Sequence, residues 1–131
     1  MEERQKWNAL FGLINELKKC NESNLITASL ALSFICIDTF ANLSRPVANP
    51  SVTRSDFIDW VDRYLIGDHR QPYKYRGIDV YAARCAFVHT YGSRAQLHDK
   101  YPNIKIFGYH DGGQHKYNPQ IDSNLVMIGT R

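Results

Sequence analysis

Cysteine is scarce in this sequence: a chain of 131 residues contains three. An odd number without CxxC spacing is not the pattern of a disulfide framework or of a thiolate zinc site. Without these patterns, we expect buried free thiols and a reducing, cytoplasmic compartment. They are Cys20, Cys36 and Cys85.

A long uninterrupted apolar run is also missing. The most apolar stretch, residues 25–43, contains two serines, two threonines, an asparagine and Asp38, and the charged N-terminus has no signal-peptide pattern behind it. A membrane helix rarely tolerates so many polar groups. We therefore expect no membrane partner.

Charge of one sign is not in large excess. The 16 Lys and Arg residues and 13 Asp and Glu residues leave a net charge of +3, which is compatible with an anionic partner but lacks a dense basic stripe. The hydrophobic share of 44% and the charged share of 22% are those of an ordinary globular protein. We expect residues 1–131 to form one domain.

Hydrophobic periodicity predicts four helices. The second one is apolar almost all round and is expected to be central, while the third begins with a capping box at Thr53 to Asp56 and ends at Gly67. The helices are predicted at about 2–20, 25–43, 54–66 and 78–91, so that the helical core covers about 2–92.

After residue 92 the apolar period changes from that of a helix to that of a strand. Residues 103–107 alternate, residues 125–128 form a second β-type run, and Gly and Pro turn signals lie between them. The expected fold is mainly α: an up-and-down bundle of about four helices with a small C-terminal β-hairpin at about 103–129. The chain ends directly after the second run, which suggests a truncated sequence.

Common catalytic and cofactor motifs are absent. The sequence contains no GxGxxG, no Walker A loop, no nucleophile elbow and no HExxH, and its five histidines have no recognised metal-ligand spacing. We therefore expect neither a metal site nor a cofactor.

Arg84 and His89 on the fourth predicted helix combine two groups that metal-free RNA cleavage requires. A guanidinium stabilises charge on phosphate, and an imidazole transfers protons near neutral pH. Five residues along a helix correspond to about 140° of rotation, so the two side chains do not share one face. A symmetric dimer would pool two copies of each.

The segment from Arg84 to Tyr91 resembles the Arg-x4–6-His motif of the HEPN superfamily, and its Arg-x4-His-x-Tyr form resembles that of HEPN toxins paired with nucleotidyltransferase antitoxins. The resemblance covers about residues 5–92 and implies a homodimeric, metal-independent endoribonuclease of toxin or phage-defence type. Arg84 and His89 would be the catalytic pair, and Tyr91 a site of modification by the antitoxin. Cys85 stands where the family often has a polar residue.

Other interpretations of the same residues stay open. Arg84 could pair with Asp38, which would then orient the guanidinium, or with Asp79 and never touch a substrate. The domain could be a non-catalytic nucleotide- or RNA-binding dimerisation module. It could also be a helical protein-interaction domain in which Arg84 and His89 are structural.

Overall fold

The computed structural model describes residues 2–67, 74–90, 94–110 and 114–129. The described chain is mainly helical, with a small two-stranded sheet near its end, as predicted. The helices are α1 (Glu2–Glu22), α2 (Ile26–Ser44), α3 (Arg54–Trp60), α4 (Gly77–Thr90) and α5 (Gln96–Lys100), and the strands are β1 (Ile106–His110) and β2 (Leu125–Gly129).

The apolar helix α2 packs between its neighbours α1 and α3. Phe34, Cys36 and Ala41 are buried, and burial raises the pKa of the Cys36 thiol. Within the described residues, α2 is the one helix that is long and apolar enough to cross a membrane, with a mean hydropathy of 1.6. The central helix of a soluble protein can have the same length and composition, and 22% of this apolar stretch of α2 is buried.

The predicted capping box at the start of α3 is present. The backbone N–H of Asp56 donates to the Thr53 hydroxyl, and the Asp56 carboxylate accepts from the Thr53 backbone N–H at 2.7 Å. These two bonds satisfy donors that a helix start leaves free. The helix continues through one wider, π-helical turn (Val61–Leu65) before it ends.

The two strands pair in parallel, so the predicted β-hairpin is wrong. A hairpin needs a short turn, whereas the chain between His110 and Leu125 is long enough to return to the start of β1. Part of this connection runs back beside β2, where Lys116 pairs with Met127 in antiparallel fashion. Of the predicted turn signals, the one that contains Pro119 forms a turn, since the backbone N–H of Ile121 donates to the carbonyl of Asn118 at 3.1 Å, and the Gly signal at 111–113 lies outside the described residues.

A buried carboxylate joins α4 to the segment that enters β1. Asp79 is fully buried and accepts hydrogen bonds from the backbone N–H groups of Arg76 and Lys105, both at 2.7 Å. At the same helix start, the backbone of Gly77 lies so close to α3 that a Cβ atom there would stand 2.5 Å from the carbonyl oxygen of Ile58. The close approach therefore requires glycine.

The short helix α5 was not predicted. Its start is closed by His98, which is buried and accepts from the backbone N–H of Ala95 through Nδ1 at 2.8 Å. The other ring nitrogen, Nε2, lies 3.0 Å from the carbonyl oxygen of Lys105 and can donate to it. His98 thus ties α5 to the same segment that Asp79 holds.

The hydrophobic core joins the helices to the sheet. Phe57 and Val61 from the third helix pack with side chains of α2 and α4, and Phe107 and Val126 close the core from the two strands. The sheet is therefore packed into the same core as the helices.

Candidate active site

Arg84 is held by Asp38 across the interface between α4 and α2. Its Nε and Nη2 atoms both lie 3.1 Å from the same carboxylate oxygen, Oδ2. Both side chains are partly buried, with 24% of Arg84 and 34% of Asp38 exposed. Of the two alternatives from the sequence, the ion pair with Asp38 is the one that forms, while Asp79 lies beside Arg76.

The charge of Arg84 is secured by this pair. Burial acts to lower the pKa of the guanidinium, but the negative charge of Asp38 and the hydrogen bonds to Cys85 and Asp38 raise it above its ordinary value. Within the described part of the chain, one end of the fork, Nη1, contacts the Cys85 Sγ at the long distance of 4.0 Å. That end keeps donor capacity for an anion.

His89 is exposed near the end of α4 and lines a cavity of about 420 Å³ between α3, α4 and α5. The backbone rotation over five residues explains why Arg84 turns towards α2 while His89 turns towards this cavity. Arg84 itself does not line the cavity, but Cys85 beside it does. The remaining lining residues are Arg54, Tyr81, Ala86, Ala95, Gln96 and Leu97.

Tyr81 connects the two sides of the site. The Cζ atom of Arg84 lies 6.0 Å from the centroid of the Tyr81 ring, and that of Arg54 lies 5.8 Å from it. A guanidinium at this distance from an aromatic ring is attracted to its π electrons. Through Tyr81, Arg84 stands one side chain away from the cavity that contains His89 and Arg54.

The ring of Tyr81 is fixed from below. It packs edge-on against the buried Phe57, with 5.3 Å between ring centroids. Burial, followed by the hydrogen bond with Cys85, raises the pKa of the Tyr81 phenol, and Arg84 and Arg54 act against this rise. At neutral pH Tyr81 is therefore an uncharged platform between two cations.

A second cavity, of about 430 Å³, lies between α1, α2, α4 and the sheet. Its described lining is largely apolar, with Lys18 as the only charged side chain, so it lacks an acid–base pair. No cluster of three or more His, Cys, Asp or Glu side chains occurs within the ranges that the structure describes. Tyr91, the residue that the resemblance marks for modification, lies outside the described residues.

Arg54 is a site residue that the sequence did not reveal. The capping box correctly placed it in the first turn of α3, but only the packing of α3 against α4 brings it to the cavity of His89. It is separated from His89 by 35 positions in the sequence, and no spacing motif links the two.

Comparison of the chain with protein-family models, curated proteins and solved structures gave no match.

Proposed function

We propose that this protein is a metal-independent endoribonuclease that cleaves RNA by attack of a ribose 2′-OH on the adjacent phosphate. One observation carries the proposal: the exposed imidazole of His89 lines a cavity together with Tyr81 and the guanidinium of Arg54, and Arg84 contacts the same Tyr81 ring from outside the cavity. An imidazole transfers protons at neutral pH, and guanidinium groups stabilise the charge that develops on phosphate.

In the proposed reaction, His89 removes the proton from the 2′-OH. The 2′-oxygen forms a bond to phosphorus, and the bond from phosphorus to the 5′-oxygen breaks. The departing oxygen takes a proton from a second acid, and the products are a 2′,3′-cyclic phosphate and a 5′-OH. In a homodimer, the second acid is the protonated His89 of another copy.

Arg84 binds the scissile phosphate in this proposal. Asp38 occupies Nε and Nη2 and so orients the guanidinium plane, which leaves Nη1 to donate to a phosphate oxygen. Because the orientation is set before the substrate binds, little side-chain freedom is lost at the transition state.

A homodimer, which this mechanism needs, belongs to the proposal. Val88, next to His89, is 52% exposed and is available for a contact with another copy. A role in toxin–antitoxin or phage-defence systems, a nucleotidyltransferase antitoxin as partner, and a cytoplasmic location belong to the same proposal and follow from the resemblance in the α4 segment.

The first experiment is RNA cleavage in EDTA by the wild type, His89→Ala and Arg84→Ala. General acid–base groups contribute about 10²- to 10⁴-fold, so we expect a loss of at least about 100-fold for His89→Ala. Because His89 is exposed, the thermal unfolding of the His89→Ala variant should match that of the wild type. Arg45→Ala is the matched control, since Arg45 binds Asn42 and the backbone of Asn49 away from this cavity.

The outcomes separate the proposal from its alternatives. Loss of cleavage in folded His89→Ala and Arg84→Ala, with Arg45→Ala active, supports an endoribonuclease. A wild type that binds RNA without cutting it, and a His89→Ala variant that binds equally well, would instead indicate a non-catalytic binding module. Size-exclusion chromatography of the same samples tests the dimer.

A further inference from the structure

The two arginines that contact the Tyr81 ring differ in how much of their charge is neutralised. Arg84 is paired with Asp38. Arg54 is exposed and forms no ion pair with the part of the chain that the structure describes, and its observed contact is with the Tyr81 ring. Of the two guanidiniums, Arg54 is therefore the one whose full charge and donors face solvent at the cavity.

The position of Arg54 is restrained although its end is free. The capping box of Thr53 and Asp56 fixes the backbone at the start of α3, and the Tyr81 ring supports the guanidinium from one side. Phe57, one turn later, is buried beneath that same ring. A cation supported in this way loses less freedom when it binds an anion than one on an isolated side chain.

We propose that Arg54 is a substrate-binding residue that holds an RNA phosphate next to the scissile one, with the Tyr81 ring beneath it. This inference rests on the proposed function and assigns a phosphate subsite to the α3 side of the cavity. Arg84 and His89 act on the reacting phosphate, and Arg54 binds its neighbour on the same strand. Leu97, which is half-buried, supplies apolar cavity surface for the sugar or base.

The test measures binding of a short 2′-O-methylated RNA, which has no free 2′-OH and cannot be cut. Its dissociation constant is determined for the wild type, Arg54→Gln and Arg54→Lys over a range of salt concentrations. One phosphate contact on a single strand contributes about 0.7 to the slope of log K against log salt. We expect Arg54→Gln to lose about that much slope and to bind about tenfold more weakly at low salt, and Arg54→Lys to retain the slope.

Arg63→Gln is a closely matched control. Arg63 is also exposed and lies over a tyrosine, with its Cζ 6.0 Å from the centroid of Tyr64, but it lines a different cavity together with Asp56 and Asp59. The Arg63→Gln substitution removes the same charge as Arg54→Gln. A general electrostatic effect would therefore lower the salt slopes of the two variants equally.

Other results would refute either the Arg54 subsite alone or the subsite together with the proposed function. An unchanged slope in Arg54→Gln, or equal losses in Arg54→Gln and Arg63→Gln, refutes the Arg54 subsite while the wild-type cleavage assay still stands on its own. If the wild type fails to bind the probe and also fails to cleave RNA, both the subsite and the proposed function are wrong.

Discussion

The two ends of α4 treat charged side chains in opposite ways. Near its start, Asp79 is fully buried, and both of its carboxylate oxygens accept backbone N–H groups. In the middle of the helix, Arg84 is partly exposed and its Nη1 has only the long contact with Cys85 among the described residues, and near the end of the helix His89 is exposed. The helix α4 thus carries a buried carboxylate with both oxygens hydrogen-bonded near its start, and polar side chains that are exposed to solvent further along.

Because of this difference, we expect mutation of the buried carboxylate to change mainly the stability of the protein and mutation of the exposed imidazole to change mainly its chemistry. A buried carboxylate whose oxygens are already bonded has no capacity for a ligand, and its removal leaves backbone donors unpaired. An exposed imidazole has few contacts to lose, so its replacement changes the free energy of unfolding little. The main effect of the replacement is the loss of a group that transfers protons. The same helix therefore offers a direct comparison by mutation.

The largest effect on stability is expected at the start of α4. Asp79→Ala leaves the N–H groups of Arg76 and Lys105 without their acceptor, at a cost of about 3 kcal/mol in the free energy of unfolding. Urea denaturation measures this cost. Asp99→Ala is the control, because Asp99 forms an exposed ion pair with Arg94, and it should change little. Equal effects of the two variants would show that the buried carboxylate of Asp79 stabilises the fold no more than the exposed one of Asp99 does.

A smaller effect, mainly on catalysis, is expected where Asp38 orients Arg84. Asp38→Asn keeps an oxygen acceptor but removes the charge, so we expect kcat/KM for RNA cleavage to fall about tenfold, which corresponds to about 1.4 kcal/mol. The free energy of unfolding should change by about 1 kcal/mol or less, since the pair is partly exposed.

A double variant checks that Asp38 acts through Arg84. In an Arg84→Ala background, Asp38→Asn should cause no further loss of cleavage, because coupled residues are not additive. A full additional tenfold loss would show that Asp38 acts on the substrate by another route.

The smallest effect is expected at the end of the sheet, where His115 accepts from the backbone N–H of Gly129 through Nδ1 at 3.1 Å. Burial, and then the charge of His110, lower the pKa of His115 below its ordinary value of 6.5. Below pH 6.5 the unfolded chain therefore binds more protons than the folded one, so stability falls as the pH drops through that value.

The measurement is the midpoint of thermal unfolding between pH 7.5 and 5 for the wild type and His115→Gln. We expect the wild type to lose more stability than His115→Gln over this interval, because glutamine retains an acceptor that does not titrate. Parallel pH profiles for the two proteins would show that His115 does not contribute.

Local patterns were sufficient to predict most of the helical architecture. The spacing of apolar residues located α1 to α4, and the sequence from Thr53 to Asp56 identified a cap that the structure contains. The helix α5 has only five residues, too few to produce a periodic signal, and its start depends on His98, whose partners include Lys105 from outside the helix. The sheet pairing was mispredicted because turn signals do not report how far the chain travels between strands.

The candidate site was partly predictable. Arg84, His89 and the pairing of Arg84 with Asp38 were all considered from the sequence, because α2 was expected to be central and a charge within it needs a partner. Arg54 and Tyr81 were not identified as site residues, since neither belongs to a motif with His89.

The sequence by itself determined the helical segments, the residue types available for acid–base and phosphate chemistry, and the cap that positions the start of α3, because each depends on neighbours a few residues away. The tertiary structure alone decided that α3 and α4 bring Arg54, Tyr81 and His89 to one cavity, and that β2 lies parallel to β1. These arrangements depend on the burial of Phe57, Val61 and Val126 in a common core, which is a property of the whole chain.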